Sequence, residues 1–160
     1  MPIVLVRIDD RLIHGQVVEG WIPYLGATQV VVVSDAIAQD HAQQVLMRLA
    51  LPDSVELKVL GLEAAATQLN SSSASTRTLV LAPSPTEILG LIQQGLSIKR
   101  VNVGGMHYSA GRVQLGKAIF LTPEDQQAFR EMVQRGVALE AKAVPSDRAQ
   151  DVAGLIEHAS

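Results

Sequence analysis

Apolar residues along this chain fall into short runs and spaced stripes that take turns. Ile3–Ile8 is a run rich in β-branched residues and predicts a buried first strand. Val18, Trp21, Ile22 and Leu25 then recur at helical spacing and predict a helix. Val30–Val33 is a continuous apolar run, as a central parallel strand requires. Ala42, Val45, Leu46 and Leu49 form the next helical stripe, with Pro52 just past its end. The alternation continues with a strand over Val55–Leu60 and a stripe of Leu62, Ala65, Ala66 and Leu69. Ser71-Ser72-Ser73-Ala74-Ser75 reads as a polar surface loop too short to link domains. A strand over Thr78–Ala82, a stripe of Ile88, Leu91 and Ile92, and a strand over Ile98–Val103 follow.

The pattern then changes. Gly104 to Gly116 is rich in glycine and carries no helical stripe. A parallel crossover usually needs a helix or a dozen residues, so the sixth strand, Ala118–Leu121, is expected to pair irregularly or run antiparallel. Thr122-Pro123-Glu124-Asp125 is a strong helix start: a capping threonine, proline at the first position, then acids at the positive end of the dipole. Phe129, Met132 and Val133 face the core, and Gly136 ends the helix. Val137, Leu139, Ala141 and Ala143 alternate with Glu140 and Lys142, which places a strand near the sheet edge. Ser146 is expected to cap a last helix carrying Ala149, Val152, Leu155 and Ile156. Together these elements predict one α/β domain over residues 1–160. Its architecture is a doubly wound, mostly parallel sheet of about seven strands, in three layers.

Composition narrows the chemistry. Hydrophobic residues make up 48% and charged residues 18%, which a folded core needs and a disordered chain lacks. The net charge of −3 argues against a broad basic face for nucleic acid. The absence of cysteine excludes a disulfide scaffold, a thiolate metal site and a cysteine nucleophile. No apolar run reaches the ~18–20 residues that span a bilayer, and Arg7, Asp9 and Asp10 make the opening unlike a secretory signal. A cytoplasmic protein is expected. The apolar helix stripes suit a core or a partner equally, so a homo-oligomer stays open.

In this fold, ligands bind beyond the carboxyl ends of the strands, where the strand order reverses. The first such loop, Asp9-Asp10-Arg11-Leu12-Ile13-His14-Gly15-Gln16, holds two carboxylates, a guanidinium and an imidazole. It lacks the glycine fingerprint of a dinucleotide site and the Gly-Lys-Ser/Thr of a nucleotide phosphate loop. It precedes a helix, whose first amides favour an anion. Neutral histidine is a nucleophile near neutral pH, and its phosphoramidate can pass the phosphoryl group on. Arg11 could neutralise phosphate oxygens, and Asp9 or Asp10 could hold one ring nitrogen and fix the tautomer. Taken alone, such a cluster is equally a set of surface ion pairs. After later strands come Pro83-Ser84-Pro85 and Gly104-Gly105-Met106-His107. The glycine pair is expected to permit a tight bend. Trp21 reads as core packing, His41 and His158 as solvated. His107 is either a phosphoryl ligand, a partner of His14 or a loop residue held by backbone contacts.

The string Val6-Arg7-Ile8-Asp9-Asp10-Arg11-Leu12-Ile13-His14-Gly15-Gln16-Val17, with Trp21 after it, closely resembles the opening of IIB subunits of the mannose/fructose/sorbose class. These belong to the bacterial phosphoenolpyruvate-dependent sugar phosphotransferase system. Val101-Asn102-Val103-Gly104-Gly105-Met106-His107 and Ala143-Val144-Pro145-Ser146-Asp147 resemble later motifs of that family. The resemblance implies a fold with one antiparallel strand in a mainly parallel sheet. It implies that His14 receives a phosphoryl group from a IIA partner on Nδ1 and donates it to a sugar. Arg11 would serve that transfer, and Asp10 would stand beside the active loop. Arg7, Asp9, Gly15, Gln16, Ser84, Gly104, Gly105 and His107 would support the phosphate. The partners implied are IIA, the membrane IIC/IID subunits and the sugar, with no cofactor, metal or nucleic acid. The implied location is the cytoplasm, against the permease. A regulatory relay without transport, and a sugar-phosphate or nucleotide binder without covalent chemistry, are the competing readings. The chain departs from the family pattern at Pro83-Ser84-Pro85 and at Ser34-Asp35, both near the expected pocket.

Overall fold

The computed structural model describes residues 2–71, 75–107, 111–115 and 119–158. The first strand, β1 (Ile3–Ile8), leads into a π-helical segment, Gln16–Trp21, that continues as the short helix α1 (Ile22–Leu25). Next come β2 (Gln29–Val33), α2 (Asp35–Ala38), α3 (His41–Ala50), β3 (Glu56–Leu60), α4 (Leu62–Asn70), β4 (Thr78–Ala82), α5 (Pro85–Gln93) and β5 (Arg100–Val103). The C-terminal part holds β6 (Val113–Leu115), β7 (Ile119–Leu121), α6 (Pro123–Gln134), β8 (Ala138–Ala141), β9 (Gln150–Asp151) and α7 (Val152–His158). Seven strands form one sheet in the order β3-β2-β4-β1-β5-β8-β9. All its pairings are parallel except β8 with β9. The doubly wound three-layer arrangement expected from the sequence is therefore present, with its antiparallel strand at one edge.

Strand alternation sorts the core into two layers. Val6, Ile8, Val31, Val33, Val80 and Ala82 pack with residues of α4, α5, α6 and α7. Val30, Val32, Leu79 and Leu81 pack on the other face with Leu12, Val17, Ile22 and Met47. The chain thus leaves β1 toward one face and leaves β5 toward the other. These two strands are neighbours, so a crevice opens between their carboxyl ends.

Four local results differ from the sequence reading. The expected sixth strand survives as Ile119–Leu121, with Ala118 outside the described residues, and it leaves the main sheet. It pairs antiparallel with β6 in a separate two-stranded ribbon, and Gly111, at φ +86°, leads into β6. The last helix starts at Val152, six positions after the expected cap. The Asp147 carboxylate takes the amides of Ala143 and Val144 and closes a loop first, and Gln150–Asp151 then pair with β8. The stripe on α3 faces outward: Leu46 is 62% exposed and Leu49 76%. Gln44 donates to the carbonyls of Ile37 and Ala38, and Arg48 to those of Val55 and Pro52. Those bonds turn the 44/47/48/51 side inward, where Met47 and Leu51 are buried. The first helix opens with π rather than α geometry, its amides reaching five residues back, as the Ile22 amide does to the Val17 carbonyl. The start of α6 is as expected, with Thr122 and Asp125 exchanging the two bonds of a capping box. Of the polar run at 71–75, residues 72–74 lie outside the described part.

Candidate active site

Residues alternate sides along β1 and just beyond it, and this decides which acid goes where. Val6 and Ile8 face the core of one layer. Arg7 and Asp9 point the other way and are both fully buried. Asp10 lies nearer the surface. After it the chain turns sharply: Leu12 has a left-handed backbone, φ +56°, and its amide bonds the Asp9 carbonyl. That conformation is strained for a branched side chain, and burial of Leu12 holds it. The turn brings His14 back over Asp9, with Nε2 2.9 Å from Asp9 Oδ2.

The Asp9 carboxylate is fully used. Oδ2 accepts from Arg7 Nη2 at 3.0 Å as well as meeting His14, and Oδ1 accepts the Arg11 amide at 3.1 Å. Burial pushes this carboxyl up, but the hydrogen bond with His14, the charges of Arg7 and His14 and the Arg11 amide outweigh it. Its net position is below the ordinary carboxylate range, so Asp9 is ionised and only accepts. In its neutral form the His14 ring then carries its proton on Nε2, toward Asp9, which leaves the lone pair on Nδ1. The arrangement supplies an imidazole nucleophile of fixed tautomer at the start of a helix. The amides of Gly15 and Gln16 lie in that first turn, where helical bonding leaves donors open to an anion.

Arg7 does not face outward. Nη1 bonds Asn102 Oδ1 and the Lys142 carbonyl, Nη2 also bonds the Ala143 carbonyl, and the guanidinium stacks 5.1 Å from the centroid of Trp21. Burial lowers the Arg7 pKa, and Asp9 partly restores it. Trp21 is core packing, as expected, and its Nε1 donates to the Ala143 carbonyl at 2.9 Å. Gly104 closes this network. A Cβ there would stand 2.7 Å from Asp9 Oδ2 and overlap the Arg7 guanidinium. Its φ is not left-handed, nor is that of Gly105, so neither serves the bend expected from sequence; Gly104 is needed for close approach, whereas a Cβ at Gly105 would meet only the tip of the His107 ring. A side chain at Gly15 would meet nothing within 4 Å.

An open cleft of about 380 Å³ lies at the crevice between β1 and β5; His14 itself is not on its wall, which its loop neighbours Arg11 and Gln16 reach. Arg11, Gln16, Gly104, Gly105 and His107 line it from the loops after β1 and β5. Lys142, Asp147, Arg148 and Gln150 close it from beyond β8. Arg11 is half exposed and bonds Gln16 Oε1 at 3.2 Å, so its charge stands at the cleft wall. Asp10 serves the second histidine: it accepts the His107 amide at 2.6 Å and meets His107 Nδ1 at 2.5 Å. His107 is therefore held by a carboxylate and not by backbone contacts alone.

The structure does not bring Ser84 to the cleft. Its hydroxyl turns to Glu87 and Thr86 at the start of α5. Ser34 and Asp35 are occupied with helix starts, Ser34 capping α2 and Asp35 accepting the Leu62 amide at the start of α4. The two departures from the family pattern thus lie off the cleft wall. Sequence reasoning missed Lys142, Arg148 and Gln150. The available signal was topological: β8 runs parallel to β5, so the residues after it end on the same rim. Among the described residues no cluster of three or more metal-type ligands occurs, and no helix is long and apolar enough to cross a membrane.

Residues 3–160 match the family described as PTS system sorbose subfamily IIB component. The fructose-specific EIIB component of Bacillus subtilis (strain 168) is 37% identical over 99% of this chain and 98% of its own. The mannose-specific EIIAB component of Escherichia coli (strain K12) is 35% identical over 92% of this chain and 46% of its own length. The solved IIBSor domain of the sorbose permease from Klebsiella pneumoniae superposes with a TM-score of 0.93 at 35% identity, covering 100% of this chain and 99% of that one. A family match over nearly the whole chain, and a shared fold at these identities, establish that the chain belongs to the sorbose-subfamily IIB components of the phosphotransferase system.

Proposed function

We propose that this chain is a phosphohistidine carrier in which His14 Nδ1 accepts a phosphoryl group from a IIA partner and passes it to a sugar entering through membrane IIC/IID subunits. It is then a protein-Nπ-phosphohistidine–sugar phosphotransferase, working in the cytoplasm against the permease. The observation that carries this reading is the bond from His14 Nε2 to the buried, ionised Asp9, which leaves Nδ1 as the nucleophile. The fused name EIIAB of the Escherichia coli relative supports a IIA donor.

In the first step the Nδ1 lone pair forms a bond to phosphorus, and the donor nitrogen of IIA takes back its electron pair. In the second step a sugar hydroxyl oxygen attacks the same phosphorus. The P–Nδ1 bond breaks, the ring recovers its lone pair, and the hydroxyl proton passes from the acceptor oxygen to solvent water. Asp9 holds the ring and offsets the imidazolium character that phosphorylation brings. Arg11 stands where it can meet the equatorial phosphoryl oxygens, a role open to it because its charge is not consumed in the interior.

The test incubates the purified chain with phosphoenolpyruvate, the two general phosphotransferase proteins and a phosphorylated IIA, and reads intact mass before and after mild acid. An acid-labile gain of one phosphate, lost in His14→Ala and kept in His107→Ala, is the expected result. No gain, with the IIA phosphorylated in the same tube, would reduce the site to a binding module.

A further inference from the structure

We infer that Arg7 is a positioning residue that selects the reacting nitrogen of His14 by acting through Asp9. The consequence for transfer rests on the carrier reading above; the positioning itself does not.

Arg7 heads the fully buried side chains by volume. Every hydrogen bond of its Nη atoms goes inward, to Asp9, Asn102 and the carbonyls of Lys142 and Ala143. It does not line the cleft. Direct contact with a bound phosphate is therefore not its task. Nor is packing a sufficient account. A guanidinium is costly to bury, and its Nε has no partner, whereas a methionine could fill the space against Trp21 without that cost.

The charge has one acid to face. Arg7 Nη2 and His14 Nε2 both meet the same oxygen, Asp9 Oδ2. The carboxylate oxygen Oδ2 is thus held between the buried Arg7 and the ring, while Arg11 Nε stands 3.8 Å from Oδ1 with its charge half exposed and screened by solvent. Remove the buried cation, and the balance at Asp9 shifts toward the neutral acid that burial favours. A protonated Asp9 would donate to Nε2 rather than accept from it. The ring proton would then sit on Nδ1, and the outward nitrogen would lose its lone pair. Gly104 is part of the same arrangement, since any side chain there would separate Arg7 from Asp9.

The experiment compares the wild-type chain with Arg7→Met, Arg7→Lys and Asn102→Ala. Long-range ¹H–¹⁵N correlation spectra read the His14 tautomer near and above neutral pH, and acceptance from phosphorylated IIA is timed in parallel. Wild type and Asn102→Ala should show the Nε2–H tautomer, because the control removes a buried partner of Arg7 and leaves its charge on Asp9. Arg7→Met should move the ring toward Nδ1–H and slow acceptance by about tenfold or more. Arg7→Lys should restore the tautomer. A folded Arg7→Met chain that keeps Nε2–H overturns the inference. Should Arg7→Met not fold, Arg7→Gln replaces it, and the ¹³C titration of Asp9 in the wild type decides independently. A midpoint below the ordinary carboxylate range supports the inference, and an ordinary one overturns it. An Nε2–H ring that accepts no phosphoryl group would sink the carrier reading and leave this inference standing.

Discussion

Asp9→Ala should cost far more stability than its place in a loop suggests. The carboxylate accepts from Arg7 Nη2, the Arg11 amide and His14 Nε2, and it is fully buried. Truncation leaves the Arg7 guanidinium buried without its counter-charge. Breaking a buried pair from one side costs about 3–5 kcal/mol. Arg7 would keep the Lys142 and Ala143 carbonyls, Asn102 and the Trp21 face, which argues for the lower end, about 3 kcal/mol. In a chain of this size that corresponds to a fall in Tm of roughly 6–12 °C.

The assay is equilibrium urea unfolding followed by the single tryptophan, Trp21, which lies directly on Arg7. The pH dependence gives a second arm. The folded Asp9 carboxyl titrates below its unfolded value of about 3.9, so its contribution is complete above that pH. It is lost as pH falls through the lower folded value. The gap between wild type and Asp9→Ala should therefore be constant from neutral pH to about 5 and close at lower pH. A loss under about 1 kcal/mol with an unchanged m-value, or a gap independent of pH down to acid unfolding, would refute the argument that Arg7 and Asp9 form a tight buried pair.

Two further outcomes follow from the same structure. Gly104→Ala should destabilise by about 1–3 kcal/mol through overpacking against Arg7 and Asp9, while Gly15→Ala, with nothing within 4 Å, should stay within about 0.5 kcal/mol; urea unfolding measures both. On α3, Met47→Ala should cost about 2–5 kcal/mol, whereas Leu49→Ala should change stability by no more than about 0.5 kcal/mol, an ordering that thermal unfolding reads directly and that the sequence stripe alone would reverse.

The sheet was legible because each buried strand is a compact apolar run and each connection carries turn chemistry. What escaped depends on contacts distant in sequence. The α3 stripe pointed the wrong way because Gln44 and Arg48, polar by type, find carbonyl partners inward. A hydrophobic pattern cannot register such bonds. The ribbon of β6 and β7 followed from a glycine-rich stretch that predicted departure from the sheet without saying what replaced it. In the site, the sequence presented Asp9, Asp10, Arg11 and His14 as one cluster, with Arg7 only as a supporting residue. The period-2 alternation of β1, continued past Ile8, separates them: Arg7 and Asp9 share the inward side. That signal was present in the sequence. The roles of Lys142, Arg148 and Gln150 were not, since they depend on β8 lying beside β5 and on the Asp147 loop that follows.

Two arginines and two aspartates within five residues of sequence thus serve different ends. Arg7 has no Nη donor directed to the cleft, so a phosphate there cannot use it without dismantling the bonds to Asp9 and the 142–143 carbonyls. Arg11 stands 3.8 Å from Asp9 at Nε, is half exposed, and touches Gln16 at the cleft wall. On the carrier reading, substitutions at the two positions should fail in different ways. Loss of Arg11 should spare folding and ring tautomer and slow the transfer step, where phosphoryl charge must be met. Loss of Arg7 should change the ring before any phosphate arrives. A chain in which Arg11→Met altered the His14 tautomer as much as Arg7→Met would show that this division of labour, drawn from burial and hydrogen bonding, is mistaken.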